Sequence, residues 1–201
     1  MNTMPTTTWD VLDQAHAALR TAVAGVDPAS WAVPTPCEGW TATQVLQHAA
    51  GDQLGFASVI TGEPGPTENP FAPSGVLEGS PSELLEPALH AAARAWGSVD
   101  PAAPSAPTPL PQPDLAPEVG AGACALDAAV HAWDIAVATG QPSPLDPALS
   151  RTLLAVATQI VEPLRPYGAY APALDPVEGD DDVAALLRYL GRDPGWSASA
   201  S

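Results

Sequence analysis

A chain of 201 residues, 46% of them hydrophobic, can bury one substantial core and shows no sign of a second module. Its 23 acidic residues face six basic ones, and the net charge of -17 argues against nucleic acid or an anionic membrane surface as partner. Aromatic residues make up 5%, so Ala, Leu and Val must fill the interior, as close-packed helices allow.

The six basic residues are all arginine. Two cysteines, Cys37 and Cys124, cannot build a disulfide framework, and no charged region followed by an apolar signal core is recognisable. No uninterrupted apolar run approaches the length of a bilayer span. These features lead us to expect a soluble cytoplasmic protein, monomeric or homodimeric, acting on a small molecule.

The first predicted helix runs from about Thr8 to Val26, with Trp9, Leu12, Ala15, Leu19 and Val23 at three- and four-residue steps. Asp27-Pro28 stops it, and Pro34, Pro36 and Gly39 mark a loop before Thr41, a fair N-cap for a second helix from about Thr43 to Ile60. Residues 62–81 are rich in Gly and Pro and read as a long irregular connection, of the kind that tends to be functional. Ser82 is the expected cap of a third helix reaching about Trp96. Seven prolines between Asp100 and Pro117 predict an extended connector. A fourth helix, about Ala121 to Thr139, ends at Gly140, and Asp146-Pro147 opens a fifth that Pro163 or Pro166 closes. A short last helix from about Asp182 to Leu190 precedes Gly191 and a frayed tail, Ser197–Ser201.

Four histidines, at positions 16, 48, 90 and 131, can each be weighed as ligands. His48 lies mid-helix among apolar neighbours, where a lone histidine is more often a hydrogen-bonded core residue. Asp127 precedes His131 by four residues, so both project from one helix face within reach of a single ion, although such a pair can equally be a simple helix-surface contact. An imidazole and a carboxylate suit zinc first, and also nickel, iron or manganese, with His48 as the natural third ligand. Asp134 is placed to orient His131 through a hydrogen bond or to be a ligand itself. Glu86 and His90 imitate the same clip, so spacing alone does not choose between the pairs. Neither cysteine has a basic neighbour in sequence that would lower its pKa, and no phosphate loop, dinucleotide fingerprint or nucleophile elbow occurs.

The segment Thr35-Pro-Cys-Glu-Gly-Trp-Thr-Ala-Thr-Gln-Val-Leu-Gln-His48 resembles the first metal-ligand region of the actinobacterial mycothiol-dependent maleylpyruvate isomerase-like branch of the DinB/YfiT superfamily. Asp127-Ala-Ala-Val-His131-Ala-Trp133-Asp134-Ile-Ala is similar to that family's Glu-x-x-x-His-Gly-Trp-Asp-Leu-Ala helix, and Leu190-Gly191-Arg192-Asp193-Pro194-Gly195-Trp196 to its Leu-Gly-Arg-Asp-Pro-x-Trp ending. The resemblance implies an all-α fold, an up-and-down four-helix bundle with extra short helices and long Pro-rich loops, spanning residues 1–196 as one domain with residues 197–201 disordered. It also implies a divalent metal held by His48, the acidic position 127 and His131, and an isomerase or thiol S-transferase activity with mycothiol as cosubstrate. In that reading the connections at 62–81 and 100–117 cover the substrate. Aspartate at position 127, where glutamate is usual, removes one methylene, to be met by a helix shift, a bridging water or loss of that ligand. The isomerase's separate C-terminal domain has no counterpart here. The departures leave two alternatives on the same bundle: a tailoring enzyme of specialised metabolism performing cyclisation or hydrolysis, or a non-catalytic protein that binds a small molecule or metal.

Overall fold

The computed structural model describes residues 9–112 and 115–198. Thr8, the expected start of the first helix, and Ser199–Ser201 of the expected tail lie outside the described residues. Among the described residues the fold is all-helical, and extended pairing is limited to one isolated bridge, Pro34 to Thr41. Six α-helices follow in order: α1 (Asp10–Ala24), α2 (Ala42–Thr61), α3 (Pro81–Gly97), α4 (Pro117–Ala138), α5 (Pro147–Ile160) and α6 (Asp182–Tyr189).

Helices α1 to α4 form a bundle in which α1 packs on α3 and α4, and α2 packs on the same two. Helix α5 covers the outer side of α4 and α1, and α6 packs on α5. The amphipathic helices bury one stripe each, such as Leu12, Ala15, Leu19 and Val23 of α1. Helix α4 is apolar on every side except for Glu118 and the buried Asp127, His131 and Asp134, and is enclosed by three neighbours, so nearly every residue in it is buried. By length and mean composition it could cross a bilayer, but Asp127, His131 and Asp134 interrupt its apolar run and 94% of its apolar window is buried inside the bundle. Small residues make that enclosure possible. A Cβ on Gly122 would come within 2.6 Å of Val156, and one on Gly120 within 2.7 Å of the fully buried Trp96.

Local chemistry sets the boundaries. Thr41 and Gln44 form a capping box at the start of α2, as the sequence suggests, and Asp146 caps α5 ahead of Pro147. Two expectations need correction. The cap of α3 is Ser80, not Ser82, because Glu83 completes a capping box with it and Pro81 then occupies the first turn. Helix α4 begins at Pro117, four residues before the expected Ala121, since a proline in the first turn has no N–H that the helix would need. Helix α5 ends at Ile160, and a 3-10 helix, Glu162–Tyr167, carries the two closing prolines.

Candidate metal centre

The site lies where α2 and α4 face each other. His48 on α2 and Asp127 and His131 on α4 are all buried. Asp127 Oδ1 sits 3.3 Å from Nε2 of His48 and 3.3 Å from Nε2 of His131. The imidazoles stand edge to face, with centroids 4.8 Å apart and planes at 83°. The shorter arm of aspartate therefore does not keep its carboxylate from reaching both rings.

Each ring is oriented from behind. His48 Nδ1 lies 2.9 Å from the carbonyl oxygen of Pro70, and His131 Nδ1 lies 2.9 Å from Asp134 Oδ2. A carbonyl oxygen and a carboxylate only accept, so both Nδ1 atoms donate. With both rings neutral, both Nε2 lone pairs would point at the same carboxylate oxygen, so the three acceptors are reconciled either by a proton on an imidazole or by a bound cation. The second oxygen, Asp127 Oδ2, is buried with no hydrogen-bond partner among the described residues. A tetrahedron with bonds of 2.0–2.1 Å has edges of about 3.3 Å, which matches both nitrogen-to-oxygen separations. The residues present fit a divalent ion of zinc's size.

Without an ion, a proton on His131 supplies the positive charge. Burial works to raise the Asp127 pKa, but the charge of His131 and hydrogen bonds to both imidazoles outweigh it and hold the carboxyl well below the usual range. His131 loses basicity through burial and regains more from Asp127, Asp134 and Cys37, so it lies well above an ordinary histidine. Asp134, fully buried, is held far below a normal carboxyl because Arg192 overrides the effect of desolvation.

The connection after α2 supplies the outer wall. Gln44 donates to the Pro73 carbonyl, and Gln47 donates to the Val76 carbonyl and accepts from Gly75 N–H, which ties residues 70–76 along α2. Gly51 lets the segment close, since a Cβ there would fall 2.7 Å from Pro70 Cβ. Trp40 and Phe71 flank the His48 ring at 5.1 and 5.4 Å. The described residues of the proline-rich connector make contacts away from this wall. Its Thr108 packs on Gly120 and its Gln112 donates to the Ile160 carbonyl, about 10 Å along α4 from Asp127.

The other histidines stand apart. His16 is buried against Gln53 Oε1 at 2.8 Å, and Glu86 is engaged by Arg20 at 2.9 and 3.1 Å with half-exposed His90 4.0 Å away. Among the described residues, two groups could hold an ion: His48, Asp127 and His131, and a neighbouring set of Cys37, His131 and Asp134.

Four residues of this neighbourhood escaped the sequence reading. Cys37 has no basic neighbour in sequence, yet its sulfur lies 3.3 Å from Arg192 Nη2 and 3.9 Å from His131 Nδ1, partners 155 and 94 residues away in the chain. Arg192 forks both oxygens of Asp134 at 2.9 and 2.8 Å. Asp52, one helical turn beyond His48, is pushed up to about 7 by burial and by the Asp127 charge, against the opposing pull of His48 and His131. Tyr170, beyond the 3-10 helix, keeps its proton well above the usual phenol range through burial and the nearness of Asp127. The i, i+4 spacing could have found Asp52; nothing local in sequence points to Tyr170.

A buried pair of imidazoles and a carboxylate between two bundle helices defines the class: a helical-bundle protein with an interior His–carboxylate site. The chain belongs to the mycothiol maleylpyruvate isomerase N-terminal domain family, which it matches over residues 12–136. That span includes His48, Asp127, His131 and Asp134, while the Leu190–Trp196 ending lies beyond it. Two uncharacterized proteins of Mycobacterium tuberculosis, from strain CDC 1551 / Oshkosh and strain H37Rv, are each 33% identical to it over 162 residues, covering 77% of this chain and 82% of their own length. No solved structure matches the chain at a significant level.

Proposed function

We propose that the chain is a metal-dependent enzyme of thiol chemistry, an isomerase or S-transferase acting on a small organic substrate with mycothiol as cosubstrate. The observation that carries this reading is the convergence of His48 Nε2, His131 Nε2 and Asp127 Oδ1 beside an unpartnered, buried Asp127 Oδ2. Those three residues would hold the ion, for which two imidazoles and a carboxylate favour zinc. A Lewis-acidic ion held there would lower the pKa of a bound thiol or water, so that it would ionise near neutral pH.

The chain's own groups have separable tasks. Pro70 and Asp134 hold the two imidazoles in the tautomer that leaves Nε2 free. Trp40 and the solvent-exposed Phe71 give the His48 ring apolar neighbours on its outer side. Asp52, poised near neutrality, is suited to hold or release a proton at its carboxyl beside the centre. The phenol of Tyr170 remains protonated and can donate a hydrogen bond.

The test is cobalt substitution. Stoichiometric cobalt(II) in the wild-type chain, titrated with mycothiol, is expected to develop sulfur-to-cobalt charge-transfer absorption, and His48→Ala and His131→Ala should lose the metal. A cobalt-loaded protein whose spectrum ignores mycothiol contradicts the thiol role.

A further inference from the structure

Arg192 stands outside the bundle helices, on the segment that follows α6, yet it reaches into the site. Gly191 turns the chain with φ of 78°, and a Cβ there would lie 2.7 Å from Ala171 Cβ and 2.8 Å from the Pro172 carbonyl oxygen, so only glycine lets the segment pack so closely. The turn is fixed by Gly191 N–H to the Arg188 carbonyl and Arg192 N–H to the Leu187 carbonyl. From it the guanidinium reaches Asp134, with Nε on Oδ1 at 2.9 Å and Nη2 on Oδ2 at 2.8 Å, while Nη2 also approaches Cys37 Sγ at 3.3 Å.

Asp134 is fully buried, and its Oδ2 also accepts from His131 Nδ1 at 2.9 Å and from the Cys37 thiol at 3.1 Å. A carboxylate on one hinge would swing about its side-chain torsion. Gripped at both oxygens by a planar fork, it has one orientation. We propose that Arg192 is a positioning residue of the metal centre: by clamping both oxygens of Asp134 it fixes the acceptor of His131 Nδ1, and so aims His131 Nε2 at the point shared with Asp127 and His48. The inference rests on the reading of that point as a cation site. It couples the C-terminal segment to the centre, so that docking of residues 190–192 and the direction of a ligand on α4 become one property.

A tether that merely pins the tail would affect stability alone, and two measurements separate the cases. In nitrogen-15 NMR of the metal-free chain, His131 Nδ1–H is expected to exchange slowly in wild type, to be lost in Arg192→Met, and to return in part in Arg192→Lys, whose ammonium can serve one oxygen but not two. In chelator competition, zinc should bind Arg192→Met at least about tenfold more weakly than wild type, in line with the loss seen when a partner of a ligating histidine is removed. Arg192→Met combined with Asp134→Asn should bind zinc no more weakly than Asp134→Asn alone, because the arginine acts through that carboxylate. A persistent His131 Nδ1–H signal in Arg192→Met, or additive losses in the double variant, would overturn the proposal. Wild type that binds no zinc would sink the metal reading instead, and the NMR comparison would still decide the positioning role. Should Arg192→Met fail to fold, the lysine variant carries both tests: a His131 signal and zinc affinity equal to wild type would count against the clamp.

Discussion

Gly51→Ala is expected to weaken metal binding while leaving the fold intact, and the structure sets the size of the effect. The new methyl would lie 2.7 Å from Pro70 Cβ, against an ordinary carbon contact of about 3.5–4.0 Å, so the two must separate by roughly 0.8 Å or more. Proline has no rotamer to yield, and the strain passes to the backbone that carries the Pro70 carbonyl. That carbonyl is 2.9 Å from His48 Nδ1, and a retreat of this size stretches the hydrogen bond beyond its useful range. Overpacking costs about 1–3 kcal/mol and the lost bond about 1 kcal/mol, offset by about 1 kcal/mol from replacing a mid-helix glycine. Stability should therefore fall by no more than about 3 kcal/mol, while zinc affinity drops roughly tenfold as His48 loses its orienting partner. Chelator competition gives the affinity and urea unfolding the stability. A variant that unfolds as wild type does and binds zinc equally well would show that the Pro70 contact does not orient His48.

Gly120→Ala, near the start of α4, is the matching control. Its methyl would press on Trp96 and Thr108 at 2.7 and 3.1 Å, so urea unfolding should show a loss of about 1–3 kcal/mol with zinc affinity unchanged; a shift in affinity would mean that strain at the start of α4 reaches the ligands. A second prediction concerns pH. Burial lowers the His16 pKa to about 4, opposed by its hydrogen bond to Gln53, so the unfolded chain takes up its proton first as pH falls below about 6.5. Stability from this residue is complete above that pH and declines towards pH 4, by about 2 kcal/mol between pH 7 and 5. Denaturant titrations at both values should show a shallower pH dependence in His16→Gln, and an equal slope in the two proteins would refute the assignment.

The parts of the fold set by local chemistry were legible in the sequence. Thr41 and Asp146 announce their helices by side-chain capping, and the Asp127–His131 spacing places two donors on one face whatever α4 packs against. Competing local signals misplaced the starts of α3 and α4. Ser80 and Ser82 are both plausible caps, and only the reciprocal bond with Glu83 separates them, while Pro117 reads as the last proline of a connector until its place in a first turn is seen. What lay out of reach was tertiary. Cys37 looks inert in its loop because the groups that face it, Asp134 and Arg192, come from α4 and the C-terminal segment. The spacing on α4 already marks Asp134 as a partner of His131, but the fork of Arg192 on both its oxygens comes from a segment 58 residues away.

X-ray absorption at the zinc edge, on protein loaded with one equivalent of zinc in thiol-free buffer, tests the centre most directly. Two imidazoles and two oxygen donors, the Asp127 carboxylate and a solvent molecule, are expected at about 2.0–2.2 Å with no sulfur. A sulfur neighbour at about 2.3 Å would move the ion to Cys37, His131 and Asp134 and contradict the assignment.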